Sequence, residues 1–342
     1  MRETWGLPSA SVLATVGRDL PDFLAQHSVD INLLIGPLGF SVDTFTDLDA
    51  RIDLDLFCRL MEAGAAITGH DDFGVGYSNY YSTGGTGAFA QGLLAAPTLR
   101  HMLLFFAKYI DTVVDHRQFN LTLDRQCAVI EWEYSPVVLS PEQFTDFSVN
   151  QVLKVISFLT NGRQRFLGFE LMREAPPNGS MHQHAFAAPI DFNAPVNRMT
   201  MTATLLDEHN SASNPVLFEL MNRECQKELD RQIDQKSLSD VLRENIIQAL
   251  PRGGMTIERA ASAVGMSKRT LQRRLSDAGR TYEQLVEETR FALVEAKLRN
   301  RVIPLSVIAA EVGYSEQSAF TRAVTKYFGE TPTKLRQRLQ RV

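Results

Sequence analysis

Val264-Gly265-Met266-Ser267-Lys268-Arg269-Thr270-Leu271-Gln272-Arg273-Arg274-Leu275 decides how the last third of this 342-residue chain folds. Gly265 can take φ > 0 and make a tight turn, and Ser267 is a residue type that caps a helix N-terminus. Leu271 and Leu275, four apart, give the helix that follows one buried side. Ahead of the turn, Ala260 and Ala261 are small enough for two helices to cross closely, so Ile257 to Ser267 and its continuation read as helix, turn, helix. The same grammar returns at Leu305 to Ser315, with Ile308 and Ala309 as the small residues, Gly313 as the turn and Ser315 as the cap. Gly313 lies 48 positions after Gly265. In the second copy Phe320 and Val324 are the anchors, and the first anchor sits seven residues after the glycine rather than six. The units lie near 256–276 and 305–327.

With Leu271 and Leu275 turned inward, Arg269, Gln272 and Arg273 point outward together. Arg pairs bidentately with guanine O6/N7 and Gln with adenine N6/N7, which suits these three to base edges. Lys268 and Arg274 suit phosphates. In the second copy Gln317, Ser318, Thr321 and Arg322 are the outward residues. Between the copies, Tyr282 to Leu298 places Tyr282, Leu285, Val286, Thr289, Ala292, Leu293 and Ala296 on one stripe of a helix roughly 25 Å long. That is near the spacing of about 34 Å between successive major grooves, so one chain offers two reading helices.

Charge is divided in the same way. The whole chain carries 35 Lys and Arg against 40 Asp and Glu, a net of -5. Residues 241–342 hold 18 against 10, a net of +8, which leaves 17 against 30, or -13, for the rest. A basic tail on an acidic body fits a nucleic-acid module joined to a domain with a different role.

The first two thirds alternate less regularly. An amphipathic helix spans Asp53 to Ala66 with Leu54, Phe57, Leu60, Met61 and Ala65 on one face, ending at Thr68-Gly69. Another starts after the cap Thr98, with Leu99, Met102, Leu103, Phe106 and Ile110 as a broad apolar stripe. Phe119 to Leu123 and Cys127 to Tyr134 form a hairpin around Asp124-Arg125-Gln126. A helix from Thr145 stops at Asn161-Gly162. Phe166 to Met172, Ile190 to Phe192 and Arg198 to Leu205 are further strands, Asn214 to Ile233 is a helix, and Asp234 to Asp240 reads as a linker. The expected fold is an α+β sensor domain with a largely antiparallel sheet over 1–236, then an all-α domain over 237–342 with two helix-turn-helix units on a linker helix.

Gly265 to Leu275, Arg290, Val312 to Ala323 and Phe328-Gly329-Glu330-Thr331-Pro332 together resemble the AraC/XylS-type transcription regulators of bacteria, over about 100 residues. The resemblance implies two helix-turn-helix units on promoter DNA and activation through RNA polymerase. Val324-Thr325-Lys326-Tyr327 departs from the commoner Phe-Lys-Arg-Trp. Asp49, Arg51-Ile52, Thr68-Gly69-His70-Asp71-Asp72-Phe73-Gly74, Ala96 to Arg100 and Phe192 to Asn197 resemble the arabinose-binding-like sensor domain of the subgroup with ornithine-type regulators. That implies a small-molecule effector and a homodimer, and leaves the effector and its pocket residues unknown. Two alternatives stay open: an enzyme delivered to DNA by its tail, and a DNA binder without an effector.

Other signals read as structural. Gly85-Thr86-Gly87-Ala88-Phe89-Ala90 fits GxGxxA, but Pro97 shortens the helix and no parallel strand precedes Asp111, so a close-packed helix start is expected rather than a dinucleotide site. His182-Gln183-His184 has no third partner and reads as a packing or surface loop rather than a metal site. Cys127, with no activating neighbour, reads as a buried strand cysteine. Leu103 to Phe106 reads as core before pocket lining. Cys58, Cys127 and Cys225 form no CxxC pair, and no signal peptide or apolar run of membrane length is present. A cytoplasmic protein without cofactor or metal is the expectation.

Overall fold

The computed structural model describes residues 10–38, 40–115, 118–235, 237–300 and 303–339. Two compact units divide it, residues 10–233 and residues 234–342. No helix among the described residues is long and apolar enough to cross a membrane.

In the first unit the strands are β1 (Ser11–Leu13), β2 (Arg51–Asp53), β3 (Gln118–Leu123), β4 (Cys127–Glu133), β5 (Phe166–Leu171), β6 (Ile190–Phe192) and β7 (Asn197–Thr202). The helices are α1 (Leu20–Gln26), α2 (Asn32–Ile35), α3 (Leu54–Thr68), α4 (Phe73–Tyr80), α5 (Gly87–Ala95), α6 (Leu99–Tyr109), α7 (Glu142–Thr160), α8 (Ser180–Phe186) and α9 (Pro215–Gln235). β1 and β2 make a short antiparallel ribbon. The main sheet runs β3-β4-β7-β5-β6, antiparallel except for the β5 and β6 pair. The expected hairpin is β3 and β4, and Asp124 Oδ1 closes it by accepting from the Gln126 and Cys127 amides at 2.6 and 2.7 Å.

Alternation along β4 and β7 sets the two faces of this sheet. Ala128 pairs with Met201 and Ile130 with Met199, all buried, so one face is apolar and carries Trp132 as well. On the other face Arg198 bridges Glu131 and Glu170 at 2.6 and 2.5 Å, a cross-strand charge pairing.

The α3 stripe behaves as read: Leu54, Phe57, Leu60, Met61 and Ala65 are buried, and Asp53 caps the helix by accepting from the Leu56 amide at 2.8 Å. Thr98 caps α6 in the same way. Three expectations are corrected. α7 begins at Glu142 rather than Thr145, because Pro141 holds the N-cap position and Thr145 is buried within the first turns. The supposed linker is mostly helix, since Asp234 and Gln235 end α9 while Leu238 to Asp240 begin the next helix. Ser237 and Asp240 close a capping box there, the polar pattern that had looked like a linker. His182-Gln183-His184 lies on α8, not a loop. Its two histidines diverge, His184 exposed and His182 buried, with His182 Nε2 at 2.7 Å from Asp146 Oδ2 and Arg173 on the same oxygen.

The second unit is helical throughout: α10 (Leu238–Ala249), α11 (Ile257–Ala263), α12 (Lys268–Asp277), α13 (Tyr282–Arg299), α14 (Leu305–Glu311), α15 (Gln317–Phe328) and α16 (Pro332–Leu339). Ala260, Ala261, Leu271 and Leu275 are buried in the first helix-turn-helix, and Ile308, Ala309, Phe320 and Val324 in the second. α13 joins them, and it is buried on more sides than one stripe predicts. Tyr282, Leu285 and Thr289 are buried as read, but so are Phe291, Val294 and Leu298. A helix that serves a different partner at each end needs two apolar faces: Tyr282 Oη donates to Met255 O at 3.0 Å, while Phe291 stacks on Tyr327 with ring centroids 4.0 Å apart.

Candidate functional site

The two turns are built alike, bond for bond. Gly265 N donates to Ser262 O and Met266 N to Ala261 O; 48 positions on, Gly313 N donates to Ala310 O and Tyr314 N to Ala309 O, at 3.1 and 2.8 Å in both cases. Gly265 and Gly313 have φ of +66° and +89°, so the left-handed turn residue is needed at both.

The helices that leave the turns differ. Ser267 caps α12 by accepting from the Thr270 amide at 3.2 Å. In the second helix-turn-helix the extra residue moves Ser315 off the N-cap position, where Glu316 stands without a side-chain cap bond. The reading of Ser315 as a cap is corrected on that account.

On α12, Arg269, Gln272, Arg273 and Arg274 are all exposed while Leu271 and Leu275 are buried. Arg269, Gln272 and Arg273 therefore share one outward face. Lys268 is exposed but held, its Nζ 2.7 Å from Glu258 Oε1 of α11; that hydrogen bond also keeps the Glu258 carboxyl below the usual range. On α15, Gln317, Ser318 and Arg322 are exposed and Thr321 is only half so. Both hydroxyls are engaged within the helix start: Ser318 Oγ donates to Glu316 Oε2 at 3.1 Å and Thr321 Oγ1 to Gln317 O at 2.9 Å. The outward surface of α12 thus carries three exposed guanidinium groups, and that of α15 carries one.

Ion pairs with a buried cation tie α13 to α10 at one point and to α14 at another. Arg243 of α10 and Arg280 converge on Glu288, and Lys297 Nζ meets Glu311 of α14 at 2.7 Å. Burial pushes the Arg243 pKa down, with Glu288 offsetting it. Arg290 lies over the Tyr314 ring at 5.5 Å, which braces the second turn from the same helix.

The first unit holds a cavity of about 120 Å³ between the apolar face of the main sheet and α5, α6 and α7. Phe106 belongs to its wall, whereas Leu103 is fully buried core and Leu104 is exposed, so the stretch read as plain core divides among three environments. The other wall residues, Phe89, Trp132 and Phe147 among them, carried no mark in the sequence, because cavity walls and cores use the same residue types. Cys127 is not buried as expected: it is half-exposed at the start of β4, and its thiol donates to Asp124 Oδ2 at 3.4 Å, which pushes its pKa up. Gly87 takes φ +56° at the start of α5, so the glycine run does start a helix.

Residues 29–210 match the family model described as the arabinose-binding domain of AraC transcription regulator, N-terminal, and residues 260–338 match a helix-turn-helix domain model. The chain belongs to the AraC family of transcription regulators. This regulator is 22% identical to the ornithine utilization regulator of Pseudomonas aeruginosa, over 98% of this chain and 99% of that one. It is 27% identical to the transcriptional regulator VirS of Mycobacterium tuberculosis, over 84% and 85%. The crystal structure of the transcriptional regulator CdpR from Pseudomonas aeruginosa covers 94% of this chain and 98% of its own, at 17% identity and a TM-score of 0.44. The family makes this chain a helix-turn-helix DNA-binding transcription regulator with an arabinose-binding-like effector domain.

Proposed function

We propose that this AraC-family regulator reads promoter DNA mainly through α12, with Arg269, Gln272 and Arg273 on base edges and Lys268 and Arg274 on phosphates, and that a small molecule in the first unit sets its DNA affinity. The observation that carries the reading is the shared outward face of Arg269, Gln272 and Arg273 on a capped helix whose Leu271 and Leu275 are buried. Three exposed donors at that spacing match the bidentate geometry of G and A in the major groove. α15 adds Gln317, Ser318, Thr321 and Arg322 at a second groove. With its hydroxyls engaged locally and one guanidinium exposed, it contributes less affinity and leaves a surface for RNA polymerase.

The test is to map the DNA sites bound across the source genome and then titrate one such site and random DNA with full-length protein. Arg273→Ala weakens the mapped site by about 1–3 kcal/mol and random DNA much less. Equal loss on both makes Arg273 a phosphate contact. For polymerase, Arg322→Ala lowers activated transcription in a reconstituted run-off assay while DNA occupancy stays near wild type; an unchanged transcript yield removes α15 from that role.

A further inference from the structure

The cavity of the first unit has a chemistry at odds with a sugar or an amino acid. Among the described residues no Asp, Glu, Lys, Arg or His lines it. Eight of its lining residues are aromatic, among them Phe89, Phe106, Phe119, Trp132 and Phe147. Its few polar groups are mostly committed to the protein: Tyr81 Oη donates to Thr15 O at 3.2 Å, and Gln151 Nε2 donates to Ser78 O at 2.8 Å. The hydroxyls of Thr83, Thr86, Tyr134 and Ser148 and the indole N–H of Trp132 complete the polar lining, and the Tyr134 hydroxyl is itself hydrogen-bonded to Ser148 and Trp132. A sugar brings a hydroxyl on nearly every carbon, and an α-amino acid brings two charges. Each would lose its water here without a matching set of partners. An aromatic ring instead meets ring edges and faces in the offset and edge-to-face arrangements it prefers. The size agrees as well: a dry apolar cavity of roughly 150 Å³ in another protein accepts benzene, and this one is about 120 Å³.

We propose that this cavity is the effector site and that it takes a small neutral aromatic compound of about one ring, carrying at most one hydrogen-bonding substituent. This rests on the reading that the first unit senses an effector. A wall of α5, α6 and α7 on one side and the β3, β4 and β7 face on the other gives the ligand a direct hold on several elements of the unit.

Trp132 supplies the probe, since the chain has two tryptophans and Trp5→Phe leaves Trp132 as the sole emitter. In full-length Trp5→Phe protein, nitrobenzene, a neutral one-ring quencher, extinguishes Trp132 emission with a saturable curve. Toluene reverses the quenching, and L-arabinose and L-ornithine do not. Val152→Phe, which fills the cavity from a half-buried position on α7, shifts the quenching midpoint at least tenfold. If that variant does not fold, the toluene competition still decides. Linear, unsaturable quenching overturns the proposal, as does displacement by L-arabinose or L-ornithine in place of toluene. DNA affinity separates this from the wider reading. Saturable aromatic binding with no change in DNA affinity leaves the cavity assignment standing and removes the effector role. A change in DNA affinity caused by L-arabinose or L-ornithine, without aromatic binding, does the reverse.

Discussion

The Gly265 turn and the Gly313 turn share their hydrogen bonds and their left-handed φ, yet only one of them has protein against it. A Cβ at Gly313 would sit 2.5 Å from the Leu250 carbonyl oxygen, while one at Gly265 would meet nothing within 4 Å. Leu250 belongs to the short connection between α10 and α11, so the second turn is wedged against the segment that leads into the first helix-turn-helix. The first turn is open, and the helix it launches carries the three exposed guanidinium groups. Duplicating a motif within one chain therefore did not duplicate its surroundings, since the second turn is packed against the domain and the first is open.

The largest test of that contrast is steric. Gly313→Ala pays for a left-handed φ and for moving backbone, and loses about 3 kcal/mol of stability, against about 1 kcal/mol for Gly265→Ala. Chemical denaturation of the full chain measures both, and equal losses would mean the second turn is no more constrained than the first. Next comes DNA. Arg273→Ala is expected to weaken a mapped site by about 1–3 kcal/mol and Arg322→Ala by less than about 1 kcal/mol; a reversed order in a binding titration would make α15 the principal reader. The ion pairs that α13 makes with α10 and with α14 give a smaller difference. Glu288→Ala removes a carboxylate shared by Arg243 and Arg280 and costs about 2 kcal/mol, while Glu311→Ala costs about 1 kcal/mol because Glu311, about as exposed as Glu288, has Lys297 as its one cationic partner. Thermal unfolding reads the pair, and a greater loss for Glu311→Ala would place the tighter tie at the second helix-turn-helix. Smallest are the caps: Ser267→Ala loses about 1 kcal/mol and Ser315→Ala almost nothing, since only Ser267 accepts an amide at its helix start.

Much of the second unit was legible. Glycine, a small-residue pair and two anchors four apart each have a local cause, and their doubling at one offset left little freedom. What a local reading missed was where two partners compete for one helix. Phe291, Val294 and Leu298 lie off the stripe drawn for α13 because that stripe assumed a single neighbour. Ser315 matched Ser267 in sequence yet lost its role to one inserted residue. In the first unit the α3 and α6 stripes and the β3 and β4 hairpin were readable from period alone, whereas the β1 and β2 ribbon was not. Its strands are three residues each, too short for alternation to show, and they are tied by Arg51, which reaches Ser11 Oγ and Thr112 O at 2.7 Å and Asp115 Oδ1 at 3.2 Å.

By itself the sequence determined the two helix-turn-helix units, the outward residues of α12 and the division of the chain into an acidic body and a basic tail, because turns, caps, helical faces and net charge are set by residues close together in the chain. Tertiary structure alone decided that Lys268 is held by Glu258, that the second turn is pinned at Leu250, and that the aromatic side chains of α5, α6 and α7 meet the sheet around a space instead of closing it. Those outcomes depend on which distant surfaces are pressed together, and residue type and spacing carry no record of that.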